Sequence, residues 1–309
     1  MQGLSAIHGL HPSRMNMHAI LELAKKKTVI FDGAMGTMLM AAGLKAGESP
    51  EIWNIEKPSL VSDIHGKYYE AGSHVVHTNT FGGNAIKLAD RGLSDKMERI
   101  NVEAAKLARK ACPAAKFVAG DIGPTGKLIR PLGNLVIEKA EEAFFKQAQA
   151  LVKGGVDLIS IETMFSLQEA LAALRAAKKL GDVTVIAALT FNRTKKGFFT
   201  MMGEGVAQAV SAFEEAGADV IASNCSLGSK DMIDLTKELR AATRKPILIQ
   251  PNAGKPVTQK GVTSYLQTPV EFAQDGKEIR NSGADMIGGC CGTNPEFIRV
   301  LVQALGNLP

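Results

Sequence analysis

The sequence is short of aromatic side chains, which make up 5% of its 309 residues and include one tryptophan. Platforms for stacking bases are therefore scarce. Basic residues outnumber acidic ones only by 36 to 31, and they are scattered, the longest run being Lys25–Lys27. That pattern gives no nucleic-acid stripe. No apolar run reaches the length that a membrane span needs, and mean hydropathy is +0.03. The N-terminus lacks an apolar signal core, which argues against export. The cysteines number four, and they do not resemble a secreted disulfide framework in a chain this long. A reducing cytoplasm is the expected setting, with no nucleic acid and no membrane as partner.

What is present is a chain with 45% hydrophobic and 22% charged residues, enough for a sizeable core and too apolar for disorder. Residues 1–17 show no periodicity and are expected to be a loose extension, leaving 18–309 as one domain. His18–Lys26 has the composition of a short helix that closes the bottom of the fold. Apolar, β-branched runs then recur at Thr28–Phe31, His74–His77, Lys116–Ala119, Asp157–Ile161, Val183–Leu189, Asp219–Ala222, Pro246–Gln250 and Asp285–Ile287. Stretches rich in Ala, Leu, Glu and Lys separate most of them, clearly at Lys96–Ala111, Glu138–Lys153, Leu167–Leu180, Val206–Ala216, Asp231–Ala242 and Pro269–Asn281. Strands interleaved with helices predict a parallel sheet covered by helices.

A weak repeat sharpens the prediction. Gly72-Ser73-His74, Gly155-Val156-Asp157, Gly217-Ala218-Asp219 and Gly283-Ala284-Asp285 each end a helical stretch and open a strand. Glycine suits a helix stop because it enters the left-handed region without a Cβ clash. The motif falls on every second strand, and an α/β (β/α)8 TIM barrel accounts for the count with none left over. The competing open, doubly wound sheet needs a glycine fingerprint after its first strand. Asp32-Gly33-Ala34-Met35-Gly36-Thr37 lacks that spacing.

Residues at the C-terminal ends of barrel strands line the active-site face. Those positions hold Asp32, His77, Thr78, Asn79, Asp121, Glu162, Thr163, Thr190, Asn192, Asn224, Cys225, Asn252, Cys290 and Cys291. Cys225 and the Cys290–Cys291 pair thus share one rim, on strands six and eight. Thiolates converging there repel one another unless a cation sits between them. Zn2+ suits sulfur, and three protein ligands leave one tetrahedral position open, as catalytic sites do. The spacing itself is not the common C-x-x-C, and a buried cysteine is often only a small hydrophobe, the reading that fits Cys112. The Gly288–Thr293 turn could instead hold phosphate, although it contains no Arg or Lys. Thr293 or Asn294 could cap the helix that follows, with Pro295 in its first turn. Asp32 and Glu162 could grip an ammonium group or act as acid and base, or Asp32 could simply cap a turn.

Taken together, the segments Phe31–Thr37, Thr78–Gly82, Gly120–Gly126, Ile161–Met164, Asn224–Gly228, Pro251–Gly254 and Gly289–Thr293 resemble the zinc-dependent homocysteine S-methyltransferases. The likeness is nearest to the homocysteine-binding barrel of cobalamin-dependent methionine synthase. The Asn-Cys-Ser and Gly-Gly-Cys-Cys-Gly-Thr pair is its specific part. The resemblance implies a (β/α)8 barrel holding one Zn2+ through Cys225, Cys290 and Cys291. It also implies homocysteine bound by its amino group at Asp32 and Glu162 and by its carboxylate at the backbone N–H groups of Gly33 and Ala34, with Asn224 and Asn252 beside the pocket. The implied reaction is methyl transfer to homocysteine sulfur, giving methionine.

The methyl donor is expected from outside the chain, because folate and corrinoid modules do not follow the barrel in this sequence. Gly120–Gly126 resembles the corrinoid-linked branch, which implies methylcobalamin carried on a separate protein that docks on the rim. S-methylmethionine, betaine or another donor or thiol acceptor is the alternative within the class. A phosphate-binding lyase or isomerase and a non-catalytic zinc–thiol sensor are the alternatives outside it.

Overall fold

A computed structural model describes residues 18–259 and 262–306. The segment 1–17, expected to be a loose extension, lies outside the described residues. Eight parallel strands form the barrel: β1 Val29–Ile30, β2 Val75–His77, β3 Phe117–Ile122, β4 Leu158–Met164, β5 Thr184–Leu189, β6 Val220–Gly228, β7 Ile247–Asn252 and β8 Met286–Ile287. Each pairs with its sequence neighbour, β8 pairs with β1, and a bridge between Phe31 and Val75 joins β1 to β2. The expected (β/α)8 barrel is the observed fold.

Alternation along the strands makes two cores. Val29, Phe31, Val75, Phe117, Ala119, Leu158, Ile186, Ala188, Val220, Ala222, Leu248 and Met286 fill the inside. Ile30, Val76, Val118, Ile159, Val185, Ile221, Ile247 and Ile287 face the helices. The short helix Ala19–Ala24 lies at the bottom, where Ile20 is 1% exposed and packs into the inner core. It acts as the floor that the sequence pattern assigns to this stretch.

The outer helices are Pro58–Glu70, Met97–Ala111, Ile137–Gly154, Leu167–Lys178, Val206–Glu215, Ser229–Ala242, Pro269–Asn281 and Pro295–Leu305. Pro58–Glu70 has no clear counterpart in the sequence pattern, since Gly66 and two adjacent tyrosines blur its helical composition. Two hairpins are likewise unanticipated, Asn192–Thr194 with Gly197–Phe199 and Pro256–Gln259 with Val262–Tyr265. Their strands are only three or four residues long, too short for a period to register. Several barrel strands also run further than their apolar segments, so Asp121, Glu162, Asn224, Cys225 and Asn252 stand in strands and not just beyond them.

The glycine repeat proves to be a fastening device. Gly72, Gly155, Gly217 and Gly283 all have positive φ, between 84° and 110°. That turn presents the next polar side chain to the preceding strand. Asp157 Oδ2 accepts the Val118 N–H (2.7 Å), Asp219 Oδ2 that of Val185 (2.8 Å) and Asp285 Oδ2 that of Ile247 (2.8 Å). In the first repeat His74 Nδ1 takes the Ile30 N–H (2.9 Å) instead. Each aspartate also meets a cation from the helix that precedes the odd-numbered strand it holds: Arg109 at 2.5 Å, Lys178 at 3.1 Å and Arg240 at 2.8 Å. Every even strand is thus tied to the odd strand ahead of it at the barrel's lower edge.

Two outcomes follow for stability. Asp219→Ala strands the N–H of Val185, a residue with no exposed surface, and should cost about 1–3 kcal/mol. Asp219→Asn keeps an acceptor and should cost less, as a lowered melting temperature by circular dichroism will show. Ile20→Ala, which opens a cavity at the floor, should cost about 2–5 kcal/mol in the same measurement.

Candidate metal and substrate site

The upper end of the barrel gathers the sulfur atoms. Cys225 leaves β6, while Cys290 and Cys291 follow β8. One atom from each lies within 4.8 Å of the others, and Cys225 Sγ is 4.0 Å from Cys291 Sγ. Thiolates around a tetrahedral ion at the usual Zn–S length sit about 3.8 Å apart. The donor set and its spacing therefore fit a soft divalent ion held by three sulfurs, with the remaining corner left to another ligand. Cys112, assigned a packing role, lies apart beside Arg109.

Backbone bonds fix this geometry. The Cys290 N–H donates to Pro251 O (2.7 Å), and Cys291 O accepts the Ala253 N–H (2.9 Å). On the other side the Gly289 N–H donates to Asp32 O (2.9 Å), and the Gly292 N–H to Thr37 Oγ1 (3.1 Å). Thr293 Oγ1 donates to Cys290 O (2.7 Å) and accepts the Ala34 N–H (3.1 Å). The helix cap falls to Asn294, whose side chain accepts the Glu296 N–H. Cys225 and Ser226 both have φ near +60°, an unfavourable region for residues with a Cβ. Ser226 is braced by its hydroxyl, which donates to Asn192 Oδ1 (2.7 Å).

The thiols perturb one another. Cys291 is pulled down to about 3 by the neighbouring Cys225 and Cys290 thiols, which donate to it. The same contacts, with burial, push Cys290 well up. At Cys225 the Cys290 thiol acts downward, but Cys291 and burial carry it up to about 12. Without a cation the cluster thus favours one thiolate and two thiols.

Beneath the sulfurs lies an acidic network. Asn224 Nδ2 donates to Glu162 Oε2 and to Thr163 Oγ1 (2.8 Å), and lies 3.8 Å from Cys290 Sγ. Its Oδ1 accepts the Thr163 N–H (2.8 Å), and its backbone O accepts the Thr190 hydroxyl (3.0 Å). Asn224 therefore links the carboxylate to the sulfur cluster. Asn252 Oδ1 is buried without a partner, on the strand that bonds to Cys290.

Asp32, 1% exposed, is bound on both oxygens by His77: Oδ2 accepts its N–H (2.8 Å) and Oδ1 faces Nδ1 (2.7 Å). His77 Nε2 contacts Ser160 Oγ (3.1 Å). Burial works against charge on the ring, but the Asp32 carboxylate outweighs it and raises His77 above its ordinary value. Gly33 is tightly enclosed, since a Cβ there would stand 2.6 Å from Thr293 Oγ1 and 3.1 Å from the Tyr68 hydroxyl.

Not every rim residue joins the site. Asn79 turns away to hold Pro50 O and Asn54, and Thr78 supports the Asp121 N–H. Conversely, two contributors had no role assigned from sequence. Tyr265 packs against Gly292 from the second hairpin. Asp121 is buried beside Glu162, and burial and that neighbour push its carboxyl well up. Its place on the inward-facing alternation of β3 was the available signal.

Comparison with known proteins agrees with this architecture. Residues 29–305 match the family described as homocysteine S-methyltransferase. The methionine synthase of Mycobacterium tuberculosis is 31% identical, with 94% of this chain and 25% of that protein covered. For the methionine synthase of Mycobacterium leprae the figures are 31%, 93% and 25%. The chain spans about a quarter of the length of these curated relatives. The metallated form of the homocysteine methyltransferase MmuM from Escherichia coli shares the fold, with a TM-score of 0.77 at 24% identity, covering 93% of this chain and 99% of that one. The family match extends from the first barrel strand to the last helix, and the chain belongs to the homocysteine S-methyltransferase family.

Proposed function

We propose that the chain transfers a methyl group to the sulfur of homocysteine, giving methionine, and that the donor is a methyl-corrinoid carried on a separate protein. The observation that carries this reading is the meeting of Cys225, Cys290 and Cys291, linked through Asn224 to the half-buried Glu162 carboxylate. One Zn2+ per chain, held by these cysteines, would supply the Lewis acidity that lets an incoming thiol lose its proton at neutral pH.

The chain's own groups do the positioning. Asn224 holds Glu162 beside the sulfur cluster, where its carboxylate meets the amino group of the acceptor. Asp32 adds negative charge behind it. The Gly33–Ala34 turn serves the substrate carboxylate, with the Ala34 N–H exchanging its present partner Thr293 for that anion. The acceptor sulfur then attacks the methyl carbon in line. A sulfur–carbon bond forms, the bond from methyl to donor breaks, and the donor leaves with the electron pair.

The rim supports a donor of macromolecular size. Among the described residues the large exposed hydrophobics are Met40, Phe81, Leu128, Leu132, Met201, Leu266 and Val270. All lie in segments that follow barrel strands at the open end, and none lies at the floor. Apolar side chains gathered at one end of the fold form a collar that suits a protein partner. No helix is long and apolar enough to cross a membrane among the described residues.

Cys225→Ser and Cys290→Ala should each abolish stoichiometric zinc, read by elemental analysis, together with methyl transfer to homocysteine. Full activity in a zinc-free variant would overturn the reading. Metal-replete protein should methylate homocysteine from a methyl-corrinoid protein in preference to S-methylmethionine or betaine offered in parallel. Leu132→Glu, which alters a side chain 68% exposed on the collar, should raise KM for the protein-borne donor about tenfold, equivalent to about 1.4 kcal/mol. The rate with free methylcobalamin should stay within about twofold. Equal effects on both donors would remove the case for docking.

A further inference from the structure

We propose that Tyr265 is a positioning residue of the sulfur cluster: its hydroxyl donates to Cys291, holding that ligand in place and lowering its reactivity toward the incoming methyl group. The inference rests on the proposed function and deepens it. Tyr265 is the last residue of the second hairpin, where it pairs with Pro256. The base of that hairpin is bonded to the cysteine turn. The Gln267 N–H donates to Ala253 O (3.2 Å), and the Ala253 N–H donates to Cys291 O (2.9 Å). The Tyr265 ring then lies on Gly292, where a Cβ would stand 2.4 Å from its Cγ. Gly292 has a φ of +82°, so the turn and the ring both call for glycine there. From this seat the hydroxyl reaches the neighbouring sulfur, and the two are hydrogen-bonded. A phenol keeps its proton at neutral pH, so it is the donor.

The contact matters because a methyl group arriving here meets more than one sulfur. The cluster brings three cysteines together, and a thiolate is a nucleophile as well as a ligand. If Cys291 attacked, a bond would form between its sulfur and the methyl carbon, the donor would leave with the electron pair, and the cluster would lose a charged ligand. A hydrogen bond draws charge from the sulfur that accepts it and fixes its direction. Cys290 has Asn224 Nδ2 at 3.8 Å, and Cys291 has Tyr265. Cys225 has no such side-chain donor from outside the cluster among the described residues, although the Ser226 N–H donates to it. Cys225 and Cys291 are both half-buried, so access alone does not set them apart.

The test treats zinc-loaded full-length protein with methyl iodide and locates the methylated cysteine by mass spectrometry. In the unaltered protein Cys225 should be methylated before Cys291. Tyr265→Phe removes one oxygen from a hairpin outside the barrel. It should raise the rate at Cys291 about tenfold, the scale of one hydrogen bond to an anion, and leave Cys225 within about twofold. With cobalt in place of zinc, the same substitution should move the sulfur-to-metal charge-transfer band to lower energy, a shift that a merely structural tyrosine would not give. Melting temperature and metal content identify whether the variant is folded and loaded. If the unaltered protein binds no stoichiometric metal, the proposed function and this inference both fall. If it binds metal but Cys291 reacts before Cys225, this inference alone is overturned. The same holds if the folded, loaded Tyr265→Phe protein keeps both the Cys291 rate and the band unchanged.

Discussion

The site depends on a turn held from two sides. The residues after β8 carry two of the three clustered thiols, and their backbone is bonded to Pro251 and Ala253 on one flank and to Asp32 and Thr37 on the other. These partners lie at or just beyond the ends of β7 and β1, the two strands that flank β8. A strand of only two residues, β1, would be a weak member of an open sheet. In the ring it is fixed between β8 and β2, and its continuation becomes the wall of the pocket. Closure of the fold and assembly of the sulfur cluster are one structural event.

The third thiol is placed at a cost. Cys225 and Ser226 occupy left-handed backbone conformations, as does Thr163 next to Glu162. Each such residue costs about 1–2 kcal/mol. The surrounding bonds compensate locally: Asn192 holds Ser226, and Asn224 holds Thr163 through both its amide and its hydroxyl. Among the described residues the other non-glycine residue with positive φ is Ala115, in the loop before β3, so three of the four stand at the open end, where substrate and metal meet in the proposed function, as a preorganised rim requires.

Much of this was legible in the sequence. Strand count and the glycine repeat specify the barrel, and the barrel specifies that Cys225 faces Cys290 and Cys291, 65 residues further along. Local periodicity carries no record of side-chain pairings between distant strands. Asp32 looked available because no Lys or Arg lies near it in sequence, whereas its partner His77 stands 45 residues away. Asp121 was visible as a rim residue, but its unpaired oxygen depends on how β3 and β4 register. The short hairpins, one of which brings Tyr265 over Gly292, are too brief to leave a pattern.

The first of the four fastenings differs chemically from its siblings. His74 accepts the Ile30 N–H as a neutral ring, and burial, aided by Lys27 and Lys116, lowers its proton affinity to about pH 4. An unfolded chain would protonate the same imidazole near its ordinary value of about 6.5. Between those limits acid favours the unfolded chain, so this stave loses hold as the medium sours, while above neutrality it carries no such penalty. It also needs no counter-ion, unlike the aspartate staves. Mild acid should therefore weaken the tie between β2 and β1, the short strand whose continuation forms the pocket wall.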